Sequence, residues 1–427
     1  MAEKTGAVPG GKSTSGSAKK TEKGMTRGTK RKISRVLSRV LLSFLLVILL
    51  VFLLIWTLIF AVAHGPSKSM RNLLVGAAMQ ASATKFVPYL VLSPDKVSEI
   101  MAEAAVENVE VYSPTEFSSR FIKKIVTDSN GNRYEITVLA NDDGTALITD
   151  SDGSTQLVEY NEWDYAIDGI QFITVNRANF KAYMLIIRDP SRVYTATSSD
   201  FSDSSVSGKR FYEMAEQENC VALINGGEFS DPGGQGNGGA PQGLTFSKGK
   251  CVWDDGTTWK TFIGFDSNNR MVISEGLTSA SAKAAGIRDG VCFRPTTKSS
   301  SSRLIYTDAK GSVHVSNYNT SSPAQRSAIG QRADGAVIFI TTDGRSASSL
   351  GASYNDMTQL MYEYGAVNAG MLDGGSSAVL YYRDYFKLYE YDESRLDQYQ
   401  KMGLVNKYVA ATAPRHIPTF FCVAPSK

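Results

Sequence analysis

The 427-residue sequence predicts an α+β protein: a mixed β-sheet with packed helices, preceded by a small antiparallel meander and one N-terminal transmembrane helix. Three observations carry this prediction. An uncharged apolar run fills residues 40–63. Asn-Gly and Asp-Gly turns break up short apolar runs between Phe121 and Tyr160. From Asp168 onward, strand-like runs alternate with helical periodicity.

Charge divides the chain in the same places. The sequence has 45 Lys+Arg and 42 Asp+Glu, but residues 1–39 hold 11 of the basic and only 2 of the acidic groups. The remaining 34 basic and 40 acidic groups all follow residue 63, so a basic tail and a mildly acidic body flank a neutral band. This pattern excludes a simple soluble cytosolic enzyme. A hydrophobic content of 42% excludes wholesale disorder.

The run VLLSFLLVILLVFLLIWTLIFAVA is polar only at Ser43 and Thr57. As a helix it is about 36 Å long, enough to cross a hydrocarbon core of about 30 Å. Lys30, Arg31, Lys32, Arg35 and Arg39 crowd its N-terminal side, which predicts a cytoplasmic N-terminus and an extracellular C-terminal domain. Ala61-Val62-Ala63 resembles a signal-peptidase site, but the run exceeds the apolar length of a signal peptide and reads as an uncleaved signal-anchor. The Lys-, Gly- and Ser-rich tail is expected to be disordered, its lysines suiting anionic lipid better than nucleic acid.

The outer part begins with a juxtamembrane stalk and helix over 64–110. Ser93 caps that helix and Pro94 takes its first position, with helix expected to about Asn108. A small β-meander region follows over 111–167, its turns being DSNGN, NDDGT and DSDGS. None of these has the Gly and Glu spacing of an EF-hand, so they read as turns. Residues 168–427 form the main domain. Its strands include GIQFITV, YMLIIRD, CVALI, AVIFITT, AVNAGML and AVLYY. A short helix is expected over Lys209–Glu218. Another is capped by Ser353, with Met357, Leu360, Met361 and Tyr364 on one face and Gly365 as its stop.

Cys220, Cys251, Cys292 and Cys422 lie in apolar strand-like runs with no CxxC, which argues against zinc. Buried thiols and disulfides are equally compatible with that setting. No cofactor or metal is predicted.

Three apolar strands end in glycine turns: Asn225-Gly226-Gly227, Asp343-Gly344-Arg345 and Asp373-Gly374-Gly375-Ser376. Such turns let successive N–H groups point at one anionic oxygen, and strand ends are where ligand crevices form. Any one of them alone is more often a plain turn.

The stretches INGGEF (224–229), GNGGAPQGL (236–244), QRSAIGQRADGAVIFITTDGR (325–345), YGAVNAGMLDGGSSAVLYY (364–382) and RHIPTFF (415–421) resemble the phosphodiester glycosidase family in its membrane-anchored bacterial form. The resemblance covers about Asp168–Pro425. It implies hydrolysis of a sugar-1-phosphodiester at the anomeric carbon, on a phosphate-linked glycan of the cell surface or an exopolysaccharide. Carried over position by position, the family motifs fall on Asn225, Gly226 and Gly227, on Arg326, on Asp343 and Arg345, and on Asp373. Bond cleavage builds positive charge on the sugar and negative charge on the departing phosphate. Asp373 is then the catalytic base or nucleophile, and Asp343 a second carboxylate or an arginine-orienter. Arg326, Arg345, Gly374, Gly375 and Ser376 hold the phosphate.

Plainer readings stand beside these. The two arginines can pair with the two aspartates in a structural network. Ser376 is more simply a turn cap, and His314 and His416 fit no Ser-His-Asp spacing. Arg415 is either a substrate contact or an exposed strand-end charge. The sequence departs from the family at Met371, where an Asn is usual, and at Glu228, which is an extra acid or a solvated loop charge. The alternative to an enzyme is a non-catalytic glycan-binding or envelope-assembly module on the same fold.

Overall fold

The computed structural model describes residues 27–426, apart from 68–70, 72–73, 76–77, 80–85, 104–106, 113–120, 128–132, 141–144, 150–153, 160–162, 164–165, 202–206, 232–237, 295–301, 319–322, 345–348 and 409–412. The chain divides into two compact units, Met1–Ala61 and Val62–Lys427.

The first unit is built on the long helix Arg27–His64. Its 29-residue part Val36–His64 contains an 18-residue stretch with a mean hydropathy of 3.2, long and apolar enough to cross a membrane. The Thr57 hydroxyl donates to Leu53 O at 2.7 Å, so this polar group of the run is satisfied within the helix. The helix starts at Arg27 rather than at Val40, which corrects the expectation of a disordered tail over all of 1–39. Arg and Lys are good helix formers and extend the apolar helix backwards. The rest of the tail lies outside the described residues.

In the second unit, Ser93 Oγ accepts the Lys96 N–H at 3.3 Å and starts the helix Pro94–Glu103. That helix is shorter than expected. Glu107–Tyr112 is a strand, because its alternating β-branched residues add to the edge strand Val313–Tyr318. A four-stranded antiparallel meander follows, in chain order, from Phe121–Thr127 to Thr155–Glu159.

The expected α+β class holds, but the main domain has several sheets in place of one mixed sheet, and every described pairing is antiparallel. The largest has eight strands, in the order 107–112, 313–318, 303–307, 366–371, 327–332, 337–342, 181–187, 170–176. The expected alternation of strand and helix does exist. Val337–Thr342 and Ala366–Met371 run the same way, joined through the helix Tyr354–Glu363, but Ser327–Arg332 lies between them and pairs antiparallel with both. Ser353 caps that helix as expected, its Oγ accepting the Asp356 N–H at 3.1 Å. Met357, Leu360 and Met361 are buried beneath it.

A five-stranded sheet (250–253, 245–247, 287–293, 261–266, 271–274) packs against the large one. Ile263 fits over Gly370, where an added Cβ would lie 2.7 Å from its Cδ1. A third sheet (380–382, 222–225, 419–423, 193–197) shares Ile224 and Phe421 with the same core. Its other face is covered by the helix Phe211–Glu218 through Phe211, Met214 and Ala215. All four cysteines carry free thiols.

Candidate active site

The three sheets that share a core meet at one corner, and main-chain hydrogen bonds join them there. Asp373 N–H donates to Gly226 O at 3.1 Å and links the large sheet to the third. Glu228 N–H donates to Cys292 O at 2.9 Å and links the third sheet to the five-stranded one. Ser302 closes the triangle: its carbonyl accepts the Met371 N–H at 2.6 Å and its hydroxyl donates to Arg294 O at 3.0 Å. These contacts need small residues. A Cβ on Gly226 would lie 2.3 Å from Thr419 Oγ1, and one on Gly227 would lie 2.2 Å from Cys292 O.

Asn225 is fully buried and holds the corner from below. Its Nδ2 donates to Asp373 O at 2.6 Å, and its Oδ1 accepts the Val379 N–H at 3.2 Å. On the other flank, Gly375 N–H donates to Gln325 O at 2.9 Å. Gln325 also buries its Oε1, which has no partner among the described residues.

Asp373 keeps some contact with solvent, yet the surrounding protein strips enough water that burial pushes its carboxyl up to about 6. The Ser377 hydroxyl and the charge of Arg294 pull the value down, while the charge of Glu228 adds to the rise. Arg294 leaves the end of the strand Ile287–Phe293 half-buried. Its guanidinium is pushed up first by Tyr354 beside it, then by Asp373 and Glu228. Tyr354 in turn lies under Arg326, whose guanidinium carbon is 4.5 Å from the ring centroid. Arg326 is buried, and its Nε donates to Ala352 O at 3.2 Å.

Glu228 is no solvated loop charge. It pairs with the ammonium of Lys260, a lysine only 4% exposed. The two carboxylates that act on each other here are therefore Asp373 and Glu228. Asp343 lies two strands from Asp373, a separation of about 10 Å at ordinary strand spacing. Its carboxylate accepts the Lys407 N–H at 2.8 Å and the Tyr183 hydroxyl at 3.0 Å. Burial pushes that carboxyl up, against these two bonds.

Arg415 reaches the turn from the outside. It donates to Ser376 Oγ and Ser377 Oγ, both at 3.3 Å, pairs with Asp231, and lies over Phe229. Ser376 also accepts the Tyr408 hydroxyl through its carbonyl at 2.9 Å. Met371 is buried in the apolar core. Arg345 falls outside the described residues. Among the described residues, no three His, Cys, Asp or Glu side chains gather as a metal site would require.

The structure thus brings Asn225, Gly226, Gly227, Glu228, Arg326, Asp373, Gly374, Gly375, Ser376 and Arg415 to one corner. It adds Arg294, Lys260, Tyr354 and Ser377, which sequence reasoning missed. Arg294 follows the run GVCF directly, as a charge at a strand end with no glycine turn to mark it. Lys260 sits in a polar loop and becomes notable only through its burial.

Residues 218–424, just under half of the chain, match the family model described as Phosphodiester glycosidase. The SPbeta prophage-derived uncharacterized protein YomE of Bacillus subtilis (strain 168) is 51% identical over 53 residues, which is 12% of this chain and 8% of that protein. The chain therefore spans only a small part of that relative's length. Among solved structures, the zebrafish N-acetylglucosamine-1-phosphodiester alpha-N-acetylglucosaminidase catalytic domain, auto-inhibited by its pro-peptide, is similar with a TM-score of 0.43. Identity to it is 14%, covering 75% of this chain and 89% of that one. A hypothetical protein from Synechocystis is similar with a TM-score of 0.37 and 14% identity, over 74% of each chain.

Proposed function

We propose that residues 218–424, which match the phosphodiester glycosidase family model, form a hydrolase that cleaves a sugar-1-phosphodiester at its anomeric carbon. The observation that carries this reading is the approach of Glu228 and Arg294 to Asp373 where the three sheets meet. Water supplies the new bond to the anomeric carbon, the carbon–oxygen bond to phosphate breaks, and the phosphomonoester leaves with the bonding pair. Asp373 works on the sugar side, as base toward the water or as the attacking carboxylate. Arg294 takes the charge that grows on the phosphate. The N–H groups of Gly374 and Gly375, expected in that role, are already given to Asp373 Oδ1 at 3.0 Å and Gln325 O at 2.9 Å and shape the turn instead. Arg415 and Arg326 frame the turn, and Lys260 pairs with Glu228 beside Asp373. In this reading Asp343 braces Lys407 and Tyr183.

The substrate we infer is a phosphate-linked glycan of the cell surface or an exopolysaccharide. The apolar helix would anchor the chain in the bilayer with its N-terminus in the cytoplasm and the domain outside. The five basic residues between Lys30 and Arg39 support that orientation.

The test is release of free sugar from an N-acetylglucosamine-1-phosphodiester by the full chain in detergent micelles. Release is expected, with a loss of about 10³-fold in Asp373→Ala, the size of removing a group that acts in the transition state. No release, or unchanged release in the variant, returns the protein to the binding-module reading.

A further inference from the structure

The loop before the strand Thr261–Asp266 presents an aromatic side chain at the mouth of the site. Trp259 is 61% exposed, yet the loop that carries it is pinned on both sides. Asp255 accepts the N–H groups of Gly243 and Thr257, both at 2.8 Å, and Thr258 O accepts the Gly276 N–H at 3.0 Å. The Lys260 ammonium lies 4.8 Å from the Trp259 ring centroid, and the same ammonium pairs with Glu228. Thr261 pairs with Phe293 and its N–H donates to Arg294 O at 3.3 Å, so Trp259 leaves the sheet just beyond the level of Arg294.

We propose that Trp259 is a carbohydrate subsite that stacks on the pyranose ring of the leaving group, the part of the substrate beyond the phosphate. This rests on the hydrolase reading of the Asp373 site. The order of groups sets the side of the bond. Asp373 and Glu228 lie at the inner corner and take the scissile sugar, Arg294 takes the phosphate, and Trp259 lies outward of the charged pair. What hangs from the far oxygen of the phosphate therefore meets the indole. A pyranose suits it, because its axial C–H groups form an apolar, weakly positive face against the negative face of an aromatic ring. The loop that carries the indole is pinned before binding, so little backbone ordering opposes the contact.

Two diesters of N-acetylglucosamine-1-phosphate, given to the full chain in detergent micelles, test this. One carries a methyl group as the leaving alcohol, and the other carries methyl α-glucopyranoside through its O6. Trp259→Ala is expected to raise KM about 5- to 10-fold for the glucoside diester at unchanged kcat, and to leave the methyl diester unaffected. Trp259→Phe should restore most of the loss. An equal effect on both substrates, or none on either, overturns the proposal. A second measurement does not depend on turnover: titration with methyl α-glucopyranoside 6-phosphate, followed by tryptophan fluorescence. Quenching present in the wild type and absent in Trp259→Phe supports the subsite even if neither diester is cleaved, and equal signals in both overturn it. Quenching of Trp259 by brominated lipid in phosphatidylglycerol vesicles would make it a membrane contact and overturn it as well.

Discussion

The Asn225 side chain donates a hydrogen bond to the main-chain oxygen of Asp373 at 2.6 Å, while its own oxygen accepts the Val379 N–H at 3.2 Å. One amide therefore joins the turn after CVALI to both ends of the turn after AVNAGML. This is why an asparagine is needed: it must donate one way and accept the other, which neither a carboxylate nor an aliphatic side chain does. Asn225→Ala is expected to lower unfolding stability by about 1–3 kcal/mol, because it leaves a buried donor and a buried acceptor without partners. Asn225→Asp should also fail, since a carboxylate cannot donate to Asp373 O. Urea denaturation of the three proteins checks this.

Gly227 gives a second prediction of the same kind. An added Cβ would lie 2.2 Å from Cys292 O, a backbone atom that cannot swing aside. Gly227→Ala is expected to push the third sheet away from the five-stranded one. Overpacking of this kind costs about 1–3 kcal/mol. Because Glu228 follows at once, activity should fall further than stability. Comparing Tm with kcat/KM separates the two.

Much of the corner was legible in the sequence, for a physical reason. Strands that end in glycine turns announce close backbone approach, and Asn225, Gly226, Gly227, Asp373 and Gly374 do lie where three sheets touch. The capped helix after Ser353 was equally plain, because its periodicity and its cap agree. The five-stranded sheet was not legible as a sheet. Its strands are short, Lys250–Trp253 and Met271–Ser274 among them, and antiparallel pairing across distant segments leaves no local mark. With that sheet went Arg294 and Lys260, whose positions depend on its edges. The partnership of Glu228 with Asp373, in place of the expected Asp343, follows from the same missing layer.

Asp343 separates support from chemistry. It accepts the Lys407 N–H and the Tyr183 hydroxyl, so Asp343→Ala strands two donors in a buried place. The expected cost is about 1–3 kcal/mol of stability. The remaining folded protein should keep kcat within about tenfold of wild type, against about 10³-fold for Asp373→Ala. A folded Asp343→Ala protein as inactive as the Asp373 variant would instead make Asp343 part of the chemistry.

Asp373 makes the pH dependence specific. Its carboxyl ordinarily titrates at 3.8 and is pushed up to about 6 by burial. The folded protein thus holds this proton more tightly than the unfolded chain. Its contribution to stability is fully present below about pH 4, falls as pH rises to about 6, and stays lost above that, by about 3 kcal/mol in all. Asp373→Asn cannot ionise, so it should be more stable than wild type at pH 7.5 and no more stable at pH 4. Activity moves the opposite way, because the base or nucleophile must be ionised: kcat/KM of the wild type should rise with pH and level off above about 6. Arg294 sharpens the test. Its positive charge holds the Asp373 value down, so Arg294→Met should carry the rising limb to higher pH as well as lower the plateau by about 10²-fold. A plateau that falls while the limb stays in place would leave Arg294 as a phosphate contact with no hold on the carboxyl.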